Sequence, residues 1–437
     1  MIDYSAILNR YRPDEQELQK LKSISEYLTT RASEICRHKN IRADPVLVGS
    51  YAKGTNLKDG DLDLFIAFDR DYEEKIMEKL GLSIGHDLLP NGKEKYAEHP
   101  YVSGEIDGIK IDVVPCFKME FGQKKISAVD RTLLHTRYVN EKLDGASKDQ
   151  VRLLKVFMKS VGVYGAEART YGFSGYLCEL LIIRYGNFEN VLRLFSTTRG
   201  RLKIDDDERF EDPMVLIDPV DPDRNVASAV SLESLSRMRI ASKMFLDNPS
   251  ESFFDLERKP IKPKYHDRGT CIRIYSIEKP DLTDDVLYPQ IYKFKLALLR
   301  LMEEYNMEPV GSAIDVADRI YVLIETRKFI SDSIRIHVGP PADTSNSIDF
   351  IKKWLTRERS RGPYLVGNRL YVDTVEERKT PEEIVLSNIS KYSIGKNLDK
   401  LKNTIKVQKF EEIKGRIRVL DRFFSEEAFG GLNSLSA

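Results

Sequence analysis

The feature that most narrows what this chain can become is a spaced set of three acids in β-type surroundings. The run PVLVGS (45–50) is followed, ten residues later, by Asp61-Leu62-Asp63-Leu64, and a third acid arrives in Gly108-Ile109-Lys110-Ile111-Asp112-Val113-Val114. Side chains two apart on a strand share a face, so Asp61 and Asp63 are expected to project together while Leu62 and Leu64 enter a core. The same alternation sends Ile109 and Ile111 one way and Asp112 the other. With the strands adjacent, three carboxylates converge, and carboxylates held side by side repel unless a cation neutralises them. Three hard oxygen ligands suit Mg²⁺, and two such ions roughly 3.5–4 Å apart serve an in-line displacement at phosphorus. Gly49-Ser50 supplies the complementary part: glycine lets backbone approach a triphosphate, and the amides and hydroxyl of the turn bind its oxygens. Lys53 adds a positive charge one turn on. A lone D-x-D is commonly a solvated strand face and a lone Gly-Ser a plain turn; the ordered combination is what points to metal-assisted phosphoryl chemistry.

The 437 residues allow two to four domains. Residues after Pro13 read as helix, and 148–162 return to helical spacing, with Val151, Leu154, Met158 and Val161 on one face and Arg152, Lys155 and Lys159 as a basic stripe on another. A helix over 174–185 has Ser174 as N-cap and Gly186 as terminator. IDDDERFED and DPMVLIDPVDPDRN read as loops and turns before a helix at 228–246. The proline-spaced RKPIKPKYHDR (258–268) marks a boundary near 257, beyond which a helix (287–305) and the runs RIYVLIE, SIRIHVG and PYLVGNRLYVD predict a mixed α+β region. The expected domains are 1–140, 141–257 and 258–437.

Composition excludes more than it assigns. The 69 basic and 69 acidic residues cancel, so any nucleic-acid surface must be local; 258–268 and the six lysines between Lys391 and Lys409, set against Asp399 alone, are the candidates. Cys36, Cys116, Cys178 and Cys271 form no C-x-x-C pair, which argues against a zinc site or a disulfide framework. Early charges at the N-terminus and the lack of a run of about 18 apolar residues predict a soluble, cytoplasmic protein with no membrane partner.

The stretches GSYAKGTNLKDGDLDLFIAF, YAEHPYVSGEIDGIKIDVVPCF, SAVDRTLLHTRYV, VRLLKVFMKSVGVYGAEARTYGFSGYLCELLI and VLIDPVDPDRNVA occur in that order. Together they resemble the archaeal, class I CCA-adding enzymes of the polymerase-β-type nucleotidyltransferase superfamily. The resemblance implies an α+β, multidomain fold: an N-terminal polymerase-β-like nucleotidyltransferase domain with a mixed sheet and helices, a helical central domain, and an α+β C-terminal RNA-binding region. It implies template-independent addition of C, C and A to the 3′ end of tRNA from CTP and ATP. By the same resemblance Asp61, Asp63 and Asp112 hold two Mg²⁺ ions, and Ser50 and Lys53 bind the nucleotide phosphates. His135, Lys155 and Tyr164 are carried over to the nucleoside triphosphate and Arg224 to the base edge. The acceptor–TΨC arm of tRNA is the implied partner, and a homodimer the implied assembly. Taken as single residues, His135 is more often a satisfied structural histidine, while Lys155 is equally a solvated helix face, Tyr164 a helix end and Arg224 one half of a structural Asp pair. Two departures stand out: Asp61 occupies the place of an expected glutamate after a spacer one residue shorter, and Lys53 the place of a frequent arginine. Poly(A) polymerases and oligoadenylate synthetases share the acids but are not expected to share EHPY, AVDRT and GFSGYLCE together. A non-catalytic RNA-binding scaffold is expected to lose acids, and all three remain.

Overall fold

A computed structural model of the chain describes residues 2–96, 99–123, 126–127, 129–257, 268–413 and 423. They form two compact units: the first holds the described residues up to 257 together with Thr283–Asp285, and the second the rest of those from 268 onward. Of the predicted connection 258–268, only Arg268 falls within the described residues.

The first unit opens with two helices, α1 (Tyr4–Tyr11) and α2 (Glu15–His38), capped by the carboxylates of Asp3 and Asp14. The helix α1, which lies before Pro13, was not expected from the apolar spacing; Asp3, accepting from the Ser5 and Ala6 amides, starts it. On α2, Leu21, Leu28 and Ile35 are buried as their spacing predicts, while Leu18 stays exposed. Then follow β1 (Ala43–Val48), the single turn α3 (Gly49–Ala52), β2 (Leu62–Phe68), α4 (Glu74–Leu88), β3 (Lys93–Tyr96), β4 (Pro100–Ile106) and β5 (Ile109–Phe117). The strands make one sheet in the order β1-β2-β5-β4-β3, in which β2 and β5 run parallel and every other pair antiparallel. The sheet is therefore mixed, as expected. Leu62, Leu64, Ile111 and Val113 share a core with Leu21, Leu28, Ile35, Met77 and Ile84 of α2 and α4. Alternation along the strands turns the side chains of Asp63 and Asp112 to the opposite face.

The rest of this unit is mostly helical: α5 (Arg131–Lys142), α6 (Gly145–Val161), α7 (Gly175–Tyr185) and α8 (Phe188–Thr197) precede four short strands, β6 (Leu202–Lys203), β7 (Met214–Val215), β8 (Ile217–Asp218) and β9 (Asp221–Asn225), and then α9 (Leu232–Asp247). Three of these strands, β7, β8 and β9, lie where loops and turns were expected. All four strands are only two to five residues long, too short for a period to register in the sequence. Ser174 caps α7 through the Leu177 amide, and Gly186 at φ +85° ends it, both as predicted. The basic stripe predicted on α6 is not one solvated face: Lys159 is exposed, but Lys155 is only 2% exposed and Arg152 reaches the carbonyls of Gly54 and Asn56.

The second unit is α+β. It contains β10 (Cys271–Glu278), α10 (Asp284–Glu304), β11 (Pro309–Val316), β12 (Arg319–Thr326), β13 (Ile334–Pro341), α11 (Ser347–Leu355), β14 (Ser360–Val366), β15 (Arg369–Val375), α12 (Pro381–Asn388), β16 (Lys406–Lys409) and α13 (Phe410–Ile413). Its sheets run β11-β12-β10-β16 and β13-β15-β14. Along the lysine-rich run, Lys391, Lys396, Lys400, Lys406 and Lys409 are exposed, while Lys402 is partly covered and paired with Asp399. Among the described residues no helix is long and apolar enough to cross a membrane.

Candidate active site

Parallel pairing of β2 with β5 sets Asp63 directly beside Asp112. On its other side Asp63 pairs with Val48, the last residue of β1, which places Gly49 against the acid. A Cβ at Gly49 would lie 2.0 Å from Asp63 Oδ2, and the residue holds φ +74°, so both space and conformation demand glycine. Asp61 precedes β2 rather than lying within it. Its charge still acts on Asp63, and Lys110 joins it to the site. The Lys110 Nζ donates to Asp61 Oδ2 at 2.8 Å and to Asp112 Oδ2 at 3.2 Å.

The charge here is incompletely met. Burial, reinforced by Asp112 and Asp61, pushes the Asp63 carboxyl up to about 6, against the pull of Lys110 and Lys53. Asp112 Oδ1 is buried without a hydrogen-bond partner. An orphaned carboxylate oxygen beside an acid that resists ionisation is what a cation would satisfy, and the donor set is all oxygen, which fits a hard divalent ion. The three acids do not draw to within 4.8 Å of one another; among the described residues Glu74, Glu78 and His99 reach that compactness. There each ring nitrogen of His99 faces its own glutamate, Nδ1 to Glu78 at 3.0 Å and Nε2 to Glu74 at 3.9 Å, an arrangement that ties the start of β4 to α4.

The remaining predicted residues assemble into two clusters on the helical side. In the first, Glu179 is fully buried on α7 and accepts from Lys53 Nζ at 2.6 Å and Thr55 Oγ1 at 2.6 Å; Lys155 Nζ stands 3.4 Å away and donates to the Thr55 carbonyl. Burial alone would raise the Glu179 carboxyl, but the two ammonium groups hold it below its usual range. Two lysines surround one glutamate in a buried place, and that burial pulls the Lys155 ammonium below its ordinary range against the attraction of Glu179. Tyr164 adjoins them, since the hydroxyl and the Lys155 Nζ both lie within 3.6 Å of where a Gly175 Cβ would stand. In the second cluster Asp218 accepts from His135 Nε2 at 2.9 Å, Arg224 Nη1 at 2.9 Å and the Tyr176 hydroxyl at 3.0 Å. Burial opposes the charge on Asp218, yet these donors keep its carboxyl at about 2. Burial lowers His135 below its ordinary value, so near neutral pH the ring is uncharged and its Nε2 carries the donated proton. Tyr176 joins the clusters: its ring stacks on His135 with centroids 3.9 Å apart, and Lys53 Nζ lies 5.4 Å from its centre.

Thus Lys53, His135, Lys155, Tyr164 and Arg224 come together, and Ser50 follows Gly49 in the turn that abuts Asp63. Sequence reasoning missed Lys110, Tyr176, Glu179 and Asp218. A signal existed for two of them: Lys110 is two residues before Asp112 on the same strand face, and Glu179 interrupts the apolar run YLCELLI.

Comparison with known proteins places this geometry. The family described as "Nucleotidyltransferase domain" matches residues 30–135, "tRNA nucleotidyltransferase, second domain" matches 149–255, and "CCA-adding enzyme, C-terminal domain" matches 268–409. A CCA-adding enzyme of Thermoplasma acidophilum is 62% identical over 98% of this chain and 100% of its own length. One from Picrophilus torridus is 47% identical over 98% of this chain and all of its own, and one from Methanocaldococcus jannaschii 37% identical over 80% and 83%. Identity at this level along nearly the whole chain does not arise from a shared catalytic domain alone. The chain belongs to the archaeal CCA-adding enzyme family.

Proposed function

We propose that this protein adds C, C and A to the 3′ end of tRNA, taking them from CTP and ATP without a template and releasing pyrophosphate. The observation that carries the reading is the pairing of Asp63 with Asp112 across parallel strands, with an orphaned oxygen on one and resisted ionisation on the other. Asp61, Asp63 and Asp112 are the residues that would hold two Mg²⁺ ions. When bound, such ions activate the attacking 3′-hydroxyl and neutralise the departing pyrophosphate.

The chain's own groups bind and orient. Ser50 and the turn after Gly49 meet phosphate oxygens beside the acids. Lys53 and Lys155, positioned around Glu179, face the triphosphate, and Tyr164 closes that end. Asp218 fixes one arm of the Arg224 fork and the donor nitrogen of His135. Arg224, still 29% exposed, then presents its other N–H groups to base-edge acceptors that C and A both possess. The division into 1–140, 141–257 and 258–437 follows these roles: acids on the first, triphosphate and base residues shared evenly by the first and second, and RNA on the third. There the exposed lysines of 391–409 neutralise phosphates of the acceptor–TΨC arm, which as a double helix is read by shape. The resemblance further carries a homodimer working in the cytoplasm.

The test is incorporation of labelled CTP and ATP into tRNA that lacks its CCA end. Addition of two C and one A, then arrest, supports the reading. Long A tails with CTP ignored would indicate a poly(A) polymerase, and no incorporation at any Mg²⁺ concentration a non-catalytic scaffold.

A further inference from the structure

Lys110 has no part in the transfer described above, yet it is the cation that touches two of the three acids. It stands two residues before Asp112 on β5, so the two side chains share a face. Its ammonium lies between Asp61 Oδ2, at 2.8 Å, and Asp112 Oδ2, at 3.2 Å. That is where a cation bridging the same two oxygens would have to sit. The position is not demanded by the fold. Lys110 is 45% exposed, on the face away from the α2–α4 core, and four rotatable bonds let it swing into solvent without moving the strand. Ammonium and metal ion cannot occupy one place.

We propose that Lys110 is the resident counter-ion of the metal-free site: its ammonium bridges Asp61 and Asp112, and is displaced when a divalent cation takes those oxygens. Metal loading is then an exchange of cations rather than an addition. This rests on the assignment of the three acids as metal ligands. Two consequences follow. Lys110 keeps like charges together while the site awaits its ion, and it weakens metal binding by the free energy of the contacts that must be broken. A partly exposed pair of this kind contributes little, so the penalty is modest.

Mn²⁺, titrated without nucleotide or tRNA and followed by the electron paramagnetic resonance signal of the free ion, tests the exchange. Lys110→Met is expected to bind Mn²⁺ about three- to tenfold more tightly than the wild type, the range set by losing a half-exposed ion pair. Because that variant leaves the acids without a counter-ion, a second readout uses the wild type alone. Acetylation of Lys110 by acetic anhydride, read by mass spectrometry, is expected to rise several-fold as Mn²⁺ is added, with a midpoint matching the binding curve. Unchanged Mn²⁺ affinity in Lys110→Met, or labelling of Lys110 indifferent to bound Mn²⁺, overturns the proposal. A different result sinks the reading beneath it: wild type that binds no Mn²⁺, or Asp63→Asn that binds it equally well, removes the acids as ligands.

Discussion

Asp63 carries two opposed demands, since a nearly enclosed carboxylate beside two others resists the charge a metal ligand needs. Its folded-state value of about 6 lies above the ordinary 3.8. The folded protein therefore holds a proton there that the unfolded chain releases, and stability falls as pH rises from about 4 to 6. The difference amounts to roughly 3 kcal/mol at about 1.4 kcal/mol per unit. Urea unfolding of the metal-free protein at pH 4 and pH 7 should show that loss in wild type relative to Asp63→Asn, whose amide does not titrate; parallel pH profiles would contradict it. Glu179 makes the reverse case. Its carboxylate is ionised because Lys53 and Lys155 surround it, and removing its charge strands two buried ammonium groups. Glu179→Gln should cost roughly 3–5 kcal/mol in urea unfolding, the usual result of breaking a buried ion pair. A loss below 1 kcal/mol would mean that the lysines find other partners or lose their protons.

At the scale of elements, the turn between β1 and α3 depends on one glycine. Gly49→Ala must both hold φ +74° and displace the Asp63 carboxylate. The left-handed conformation alone costs about 1–2 kcal/mol, and transfer should fall by more than the loss of folded protein explains. The measurement is kcat alongside a melting curve; a variant with full kcat would show that the Asp63 carboxylate has room to move. Which parts of this were legible beforehand follows from range. The faces of Asp63 and Asp112, the core role of Leu62 and Leu64, and the ends of α7 rest on neighbours one to four residues away, and a period of two or a capping serine declares them. Asp61 was placed by strand alternation carried one residue beyond the start of β2, and it stands near the other two acids, joined to Asp112 through Lys110. Lys110 and Glu179 stand out within their own runs, but the partner of Lys110 at Asp61 lies 49 residues away and that of Glu179 at Lys53 lies 126 away, so local pattern flags the residues and not their pairings. Lys155 was placed on a stripe with Lys159 by helical period, yet tertiary packing buried one and left the other in solvent. Asp218 and its neighbours sat in strands of two to five residues, where turn chemistry masked the pairing.

For the whole molecule, zero formal charge means that attraction for RNA has to come from local surface. With Lys396, Lys400, Lys406 and Lys409 exposed in the second unit, tRNA affinity should fall roughly a hundredfold between 50 and 200 mM salt if about four phosphates are neutralised. Changing these four lysines to glutamine should flatten that slope in a filter-binding titration, and an unaltered slope would move the RNA surface elsewhere. The account as a whole depends on two neighbouring aspartates carrying the chemistry while the remainder of the chain positions its substrates. Single-turnover addition of C to tRNA lacking its 3′ end, with Asp112→Asn beside the wild type at saturating tRNA and CTP, tests this most directly. The predicted result is a rate lowered at least about a thousandfold, with tRNA binding and the circular-dichroism spectrum retained. A folded Asp112→Asn protein that adds C at a near-normal rate would contradict it.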